Sequence, residues 1–193
     1  MERLRFNERY REYRHLRSGV RVLLRPVRPS DAPLLLDGFQ RLSPMSRYRR
    51  FLAYRRTLTP AEVERFTRCD GQNHFALAAV IHRRGEGVEG IGVARFVRMA
   101  DEPVAAEVAV TVIDDYQGQG LGRLLMARLL SAAAERGVRE LRSSVLADNR
   151  PMLSLARSFG AAESDTDGRG VVDVVLPVIY GRGGSLPKPE DCH

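Results

Sequence analysis

Gln117-Gly118-Gln119-Gly120-Leu121-Gly122 is the stretch that decides the fold, because it places three glycines between a strand pattern and a helix pattern. Ala105 to Ile113 before it is rich in valine, and Gly120 to Glu135 carries leucines along one helical stripe. Glycine lets a backbone approach a ligand closely. The first N–H groups of a helix lack partners within it and lie at the positive end of its dipole, so the turn predicts an anion site that suits a pyrophosphate.

Three other interpretations of the glycines were weighed. They could simply make a tight turn. A dinucleotide site of the Rossmann type needs G-x-G-x-x-G after the first strand, whereas the glycines here follow the pattern G-x-G-x-G after three strand-like segments. A Walker phosphate loop needs Gly-Lys-Ser or Gly-Lys-Thr, and the sequence contains neither.

Outward from the turn, the hydrophobic pattern predicts alternating strands and helices. Strands are expected from Val20 to Pro26, Phe75 to Ile81, Gly90 to Val97, Ala105 to Ile113, Glu140 to Leu146 and Val171 to Val178. Helices are expected around Leu34 to Phe39, from Ser43 to Leu52, after the capping sequence Thr59-Pro60-Ala61-Glu62, from Gly120 to Glu135 and from Asn149 to Phe159. This order predicts an α/β fold with a mixed central β-sheet, in which strands 105–113 and 140–146 are parallel because a helix connects them.

The 193 residues fit one domain, which we place at 19–180. Residues 1–18 are expected to form an Arg-rich N-terminal helix or arm, and 181–193 a flexible tail. The sequence has no run of 18 apolar residues, so we expect no membrane partner. Its two cysteines form neither a disulfide framework nor a metal-ligand pattern, which predicts no metal site and a cytoplasmic protein. A monomer or a homodimer is expected.

The net charge of +7 comes almost entirely from arginine, which is dense before residue 28 and between Arg47 and Arg56. A solvated surface explains such a balance, and so does an anionic substrate or cofactor. No zinc-finger, RNP or basic-zipper pattern is present, so a nucleic-acid partner is not expected.

The glycine turn resembles the Q/R-x-x-G-x-G/A signature of the GNAT superfamily of N-acetyltransferases. Val110-Thr111-Val112 before the turn, Arg123-Leu124-Leu125 after it, and Asn149 followed by Leu155-Ala156-Arg157-Ser158-Phe159-Gly160 are also similar to that family. The resemblance covers about residues 20–180. It implies a GNAT-like sheet whose parallel strand pair is splayed, and acetyl-CoA as the co-substrate.

The resemblance also implies where acetyl-CoA binds. The N–H groups of the turn would hold the pyrophosphate of coenzyme A, and the backbone around Val110 and Val112 would pair with the pantetheine arm. Asn149 would contact the cofactor as well, although its position equally suits a helix cap. The predicted cofactor-binding residues are therefore Val110, Val112, Gln117, Gly118, Gln119, Gly120, Leu121, Gly122, Arg123 and Asn149.

Glu107 is the candidate catalytic base. An amine of the lysine type is charged at neutral pH and must lose a proton before it attacks a thioester. Strand alternation puts Glu107 on one face with Ala109 and Thr111, among apolar residues that would favour proton uptake. An exposed edge glutamate, or one paired with an arginine, is the alternative interpretation. Many relatives carry a tyrosine acid where this sequence has Ala156, so no general acid is assigned.

The stretch from Ala106 to Gln117 narrows the resemblance to the acetyltransferase domain of bacterial Pat-type protein lysine acetyltransferases, and Ser43 to Phe51 is similar to that group too. The resemblance implies that Glu107 is the base and that the acceptor is a protein lysine, with an acyl-CoA synthetase as a partner. Acetylation of an aminoglycoside or polyamine, or acyl-CoA binding without catalysis, stays open as an alternative.

Overall fold

A computed structural model describes residues 4–83, 85, 87–165, 168 and 170–179. The predicted tail at 181–193 lies outside these residues. Eight strands and five helices are described: β1 (Glu12–His15), β2 (Arg21–Pro26), α1 (Ala32–Arg41), α2 (Pro44–Phe51), α3 (Pro60–Thr67), β3 (His74–Arg83), β4 (Gly87–Arg98), β5 (Ala105–Val112), α4 (Leu121–Glu135), β6 (Glu140–Leu146), α5 (Arg150–Arg157), β7 (Ala162–Asp165) and β8 (Val171–Pro177).

The strands form one mixed sheet in the order β1-β2-β3-β4-β5-β6-β8-β7. Neighbours pair antiparallel except β5 and β6, which are parallel and joined through α4. The predicted α/β class and the parallel pair are confirmed. The crossover connection explains the direction of β6. The helix α4 carries the chain back to the end of the sheet at which β5 begins, so β6 runs in the same direction as β5.

Helices cover both faces of the sheet. On one face, α4 buries its leucine stripe against the alternate side chains of the central strands, with Leu121, Leu125 and Leu129 fully buried. On the other face, α1 and α3 enclose a second apolar cluster around Phe39 and Phe66. The two faces of β5 therefore meet different helices, which determines where each of its side chains points.

The prediction of a helix in the N-terminal segment is wrong. Glu12–His15 is a strand that pairs antiparallel with β2, although three of its four residues are exposed. Residues before it also enter the core, since Phe6 is 1% exposed and its ring lies 4.6 Å from that of Tyr10. Glu12 accepts two hydrogen bonds of 2.7 Å from Arg128 on α4, so the segment is held by a partly buried ion pair.

The capping sequence at Thr59 forms as expected. The Thr59 hydroxyl accepts a hydrogen bond from the backbone of Glu62, whose carboxylate accepts one from the backbone of Thr59 in return. β7 was not predicted, because its sequence Ala-Glu-Ser-Asp lacks the apolar and β-branched residues that indicate a strand. None of the described helices combines the length and hydropathy that crossing a bilayer requires.

Candidate active site

The parallel ladder between β5 and β6 is short. It joins Ala105 to Glu140, Ala106 to Leu141 and Glu107 to Arg142, and the strands then separate. A cleft of about 1330 Å³ lies at this separation. It extends from α2 and α3, whose end of the cleft we call the acceptor side, to the glycine turn. The splayed strand pair that the family resemblance implied is therefore present.

The glycine turn has the backbone conformation that only glycine adopts readily. Gly118 has a φ of 70° and Gly120 a φ of 88°, and Gly120 directly precedes the first residue of α4. A Cβ atom built on either glycine meets no heavy atom of the described residues within 4 Å. The requirement for glycine is thus conformational, and the space in front of the turn is open.

The amides of this turn suit an anion. Within the described part of the chain, the N–H groups of Gly118, Gly120 and Gly122 have no hydrogen-bond acceptor. Gly118 and Gly120 precede α4, and Gly122 lies in its first turn; this helix has 15 residues, and its dipole is positive at this end. This arrangement fits the pyrophosphate of coenzyme A.

Gln119 fixes the turn from behind. Its carbonyl accepts a 3.3 Å hydrogen bond from the backbone of Arg17, and its Oε1 accepts one of 2.5 Å from the hydroxyl of Ser18. Its Nε2 donates to the carbonyl of Asp115 at 2.9 Å. The carbonyl and the side chain of Gln119 are therefore bonded within the protein, and only its backbone N–H is left for a ligand.

The other predicted residues of the turn divide between scaffold and cleft. Gln117 lines the cleft and donates a 3.0 Å hydrogen bond to the carbonyl of Val112, which ties the turn to the end of β5. Leu121 is fully buried, so its side chain belongs to the core. Arg123 lines the cleft, with its guanidinium 2.8 Å from the hydroxyl of Ser158 and 5.2 Å from the ring centre of Phe159.

Asn149 is the cap of α5, and its side-chain oxygen accepts a 3.3 Å hydrogen bond from the backbone of Met152. It also lines the cleft, so capping and ligand contact are compatible there. Ala156 on the same helix is fully buried, whereas Ser154 lines the cleft. No hydroxyl is present at the position that carries tyrosine in many relatives.

β5 presents its two faces as the alternation predicts. Val108 is buried against α4, and Val110 and Val112 pack partly against the same cluster while also lining the cleft. Glu107 is on the opposite face and is exposed, so the apolar surroundings expected for its carboxylate are wrong. This side of β5 lines the cleft, which leaves the carboxylate open to solvent.

Arg50 on α2 is close enough to Glu107 for their charges to interact. Burial lowers the pKa of Arg50, and the charge of Glu107 acts against that decrease. Glu107 thus has a cation nearby. Glu107 is exposed, but β5 is not an edge strand and no ion pair joins Glu107 to an arginine among the described residues. Its catalytic role stays a prediction.

Asp114, which directly follows the strand region, fixes α2 beside the cleft. Its carboxylate accepts hydrogen bonds from the backbone and hydroxyl of Ser43, at 3.0 and 2.7 Å, and from the hydroxyl of Ser46 at 2.8 Å. Burial alone would raise the pKa of Asp114, but these hydrogen bonds outweigh burial and lower it. The position of α2, and with it Arg50, depends on this contact.

The structure adds cleft residues that the sequence interpretation did not assign. Five arginines line the acceptor side: Arg49, Arg50, Arg55, Arg65 and Arg95. The density of arginine between Arg47 and Arg56 was the available signal, but it did not distinguish a cleft from a solvated surface. Arg65 and Arg95 come from α3 and β4, so only the fold brings them together.

Cys69 and His74 form a pair beside this cluster, with Sγ and Nε2 3.5 Å apart. Burial raises the pKa of the Cys69 thiol, which disfavours the nucleophilic thiolate. Burial also lowers the pKa of His74. Among the described residues, no cluster of three or more His, Cys, Asp or Glu side chains has a metal-binding arrangement.

Residues 21–162 match the family described as "Acetyltransferase (GNAT) domain". The chain belongs to this family, and it is an acetyltransferase. GNAT acetyltransferases use acetyl-CoA. This agrees with the N–H groups of the glycine turn that have no acceptor among the described residues, called the open amides below, and with the separation of β5 and β6.

Individual proteins of this family show which members the chain is similar to. The acetyltransferase PA5475 of Pseudomonas aeruginosa is 36% identical over 145 residues, which are 75% of this chain and 77% of that protein. The acetyltransferase Pat of Mycolicibacterium smegmatis is 38% identical over 148 residues, 76% of this chain but only 43% of that longer protein. The crystal structure of the GNAT domain of S. lividans PAT superposes with a TM-score of 0.78 at 30% identity and covers 86% of this chain and 96% of its own.

Proposed function

We propose that this protein transfers an acetyl group from acetyl-CoA directly to a primary amine, and that the amine is a protein lysine side chain. The observation that carries the proposal is that Glu107 and the open amides of the glycine turn line one continuous cleft where β5 and β6 separate. The cofactor and the base can then act on the same reacting centre. The similarity to proteins named Pat supports a protein acceptor.

The cofactor is placed by backbone groups. The N–H groups from Gly118 to Arg123 take the pyrophosphate, and the edge of β5 around Val110 and Val112 takes the pantetheine arm in a strand-like manner. Asn149 closes the cleft from the start of α5. This placement directs the thioester along β5 toward Glu107.

The reaction is a direct acyl transfer. Glu107 takes the proton from the acceptor ammonium, either directly or through one water, and the neutral nitrogen attacks the thioester carbonyl. An N–H group of β5 near Val110 or Val112 stabilises the oxyanion of the tetrahedral intermediate. The C–S bond then breaks, the thiolate of coenzyme A leaves with its electron pair, and the nitrogen of the new amide loses its second proton to water. A free thiol has a pKa near 8.5, so the thiolate can leave without a general acid.

The direct test is release of free thiol by the purified protein from acetyl-CoA, measured against a panel of amines and proteins. Mass spectrometry on an acyl-CoA synthetase incubated with the protein should detect acetylated lysine. Turnover confined to aminoglycosides or polyamines would replace the protein acceptor with a small amine. Acetyl-CoA binding without turnover of any acceptor would indicate a regulatory module instead.

A further inference from the structure

Three arginines surround the candidate base on the acceptor side of the cleft. Arg50 lies on α2, Arg65 on α3 and Arg95 on β4, and all three line the cleft together with Glu107. Arg95 pairs across the sheet with Ala109, two residues along β5 from Glu107 and on the same face. The three cations therefore converge on one part of the site from three different elements.

None of these arginines has a carboxylate partner in the described part of the chain. The ion pairs nearby belong to other residues, since Arg55 pairs with Glu62 and Arg68 pairs with Glu64. Arg95 is only 6% exposed, and its guanidinium donates to the carbonyl of Phe66 at 3.2 Å. Burying a guanidinium without an anion costs free energy, so binding an anion there would be favourable.

The cluster is electrostatically crowded. Burial, together with the charges of Arg50 and Arg65, lowers the pKa of Arg95 to about 10. Three cations thus face a single nearby carboxylate, that of Glu107, whose charge partly opposes the decrease that burial causes in the pKa of Arg50. In addition, the Nε atom of Arg49 is buried without a hydrogen-bond partner among the described residues.

The pyrophosphate of coenzyme A does not fill this need. Glu107 is five residues from the end of β5 at Val112, a distance of roughly 16 Å along an extended strand. The glycine turn lies beyond that end, with Arg123 on its own side of the cleft. The arginine cluster lies instead beside the candidate base, where the acceptor amine must arrive.

The cations also contact aromatic rings, which offers a purely structural explanation. Arg50 lies 4.9 Å from the ring centre of Phe51, and Arg65 and Arg95 lie 5.3 and 4.5 Å from that of Phe66. These contacts account for packing but add no negative charge. The structural explanation and a ligand role give different results when the charge of the acceptor is varied.

We propose that Arg50, Arg65 and Arg95 bind a carboxylate of the acceptor next to the amine that is acetylated. This inference rests on the proposed function and specifies its substrate class: a lysine flanked by acidic side chains, with the ammonium at Glu107 and the carboxylate at the arginines. Arginine suits this task because its fork of N–H donors matches a carboxylate. The bound carboxylate positions the amine before the proton is removed.

The test compares two peptides that differ only in the residues beside one lysine, glutamates in the first and glutamines in the second. We expect kcat/KM to be about 10- to 100-fold higher for the acidic peptide, the effect of one or two charge-assisted hydrogen bonds. The difference should appear mainly in KM. A free amino acid with the same amine and a carboxylate serves as a third acceptor and shows whether the carboxylate must come from a peptide.

Arg65→Gln and Arg50→Gln should each reduce the preference for the acidic peptide by about 3- to 10-fold, because each removes one charge–charge contact. Arg65 is exposed, so its variant should fold. Arg68→Gln is the matched control: Arg68 is just beyond α3, pairs with Glu64 at 3.1 Å and does not line the cleft. It should keep the wild-type preference.

Equal kcat/KM values for the two peptides would overturn this inference while leaving the proposed function in place. A preference that stays unchanged in both Arg65→Gln and Arg50→Gln would assign the selectivity to other groups and also overturn it. Failure to release thiol with any peptide, despite acetyl-CoA binding, would contradict the proposed function itself and this inference with it.

Discussion

Glu107 and Arg142 form the last pair of the parallel ladder between β5 and β6. The candidate base therefore lies at the point where the two strands separate, and the cleft begins beside it. The carboxylate is held by regular β-structure rather than by a loop, which fixes its distance from the backbone groups of β5. A base placed in this way can act on an amine that approaches from the side of α2 and α3.

Replacing the carboxylate tests its role as the base. Glu107→Gln keeps size and hydrogen-bonding reach but cannot accept the proton of the amine, so turnover should fall by roughly 10²- to 10⁴-fold. The Kd of acetyl-CoA should stay the same, because backbone groups elsewhere hold the cofactor. Higher pH should partly restore the rate, since more of the acceptor amine is then neutral.

Glu64→Gln is the control for this experiment, because Glu64 is exposed on α3 and is not part of the cleft. It should retain wild-type turnover. If Glu107→Gln also keeps the wild-type rate and pH profile, Glu107 is a structural carboxylate and a water chain or another group takes the proton.

Introducing a negative charge into the glycine turn tests whether the turn binds the pyrophosphate. Gly120→Asp places a carboxylate against the expected pyrophosphate and should raise the Kd of acetyl-CoA at least about tenfold, which corresponds to 1.4 kcal/mol. Gly120→Asn has a similar tolerance for positive φ without the charge, so it should bind more tightly than the aspartate variant. Titration calorimetry measures both.

Gly137→Asp controls for backbone strain, because Gly137 follows the other end of α4 with a φ of 74° and open space around its Cβ. It should lose stability without losing affinity for acetyl-CoA. Equal affinity of Gly120→Asp and the wild type would rule out this turn as the pyrophosphate site.

The N-terminal segment should contribute to stability through Glu12. Burial alone would raise the pKa of Glu12, but hydrogen bonds from Arg128 and Tyr10 lower it to about 2. A lowered pKa stabilises the fold above the ordinary value near 4.5, and this contribution is lost as pH falls toward 2. Glu12→Gln should therefore lose about 2–3 kcal/mol at pH 7 and approach the wild type at low pH.

Urea unfolding at several pH values measures this difference. The matched variant is Glu163→Gln, which removes an ion pair with Arg157, whose side chain is 60% exposed. It should change stability by less than about 1 kcal/mol, because solvent screens such pairs. An equally small effect of Glu12→Gln would mean that the segment is not held by its ion pair.

Asp114 should link stability and activity. Asp114→Asn removes the charge that accepts hydrogen bonds from Ser43 and Ser46, and should lower the Tm by about 4–8 °C at pH 7. Because its folded-state pKa is lowered, this loss should shrink as pH falls below the ordinary aspartate value near 3.9. The KM for the acceptor should rise as α2 loosens, whereas exposed Asp101→Asn should change neither quantity.

Regular elements with strong local signals could be predicted from the sequence. β6 has the predicted bounds, Glu140–Leu146, and the cap at Thr59 forms as its residues indicate. β1 was missed because its tyrosine spacing also suits a helix, and only pairing with β2 decides between the two. Local propensity loses to tertiary context in such short segments.

The candidate site was predictable only in part, for a related reason. Gly118 and Gly120 carry a backbone signal that can be read locally, and both have the positive φ that their pattern suggested. The exposure of Glu107 depends on how the other elements pack around β5 to leave the cleft open, which no local pattern encodes. Arg95 and Arg65 are 30 residues apart in the sequence, so their convergence follows from the stacking of α3 on the sheet.

The short ladder between β5 and β6 has a mechanical consequence. Three residue pairs join the half of the sheet that contains β1 to β5 to the half that contains β6 to β8, while the neighbouring β4 and β5 share seven. Past Glu107, the facing edges of β5 and β6 are not paired with any strand in the described part of the chain, whereas most proteins confine unpaired edges to the rim of a sheet. Amide exchange should therefore be fastest along this seam in the free protein, and a ligand that bridges it would stiffen the whole domain.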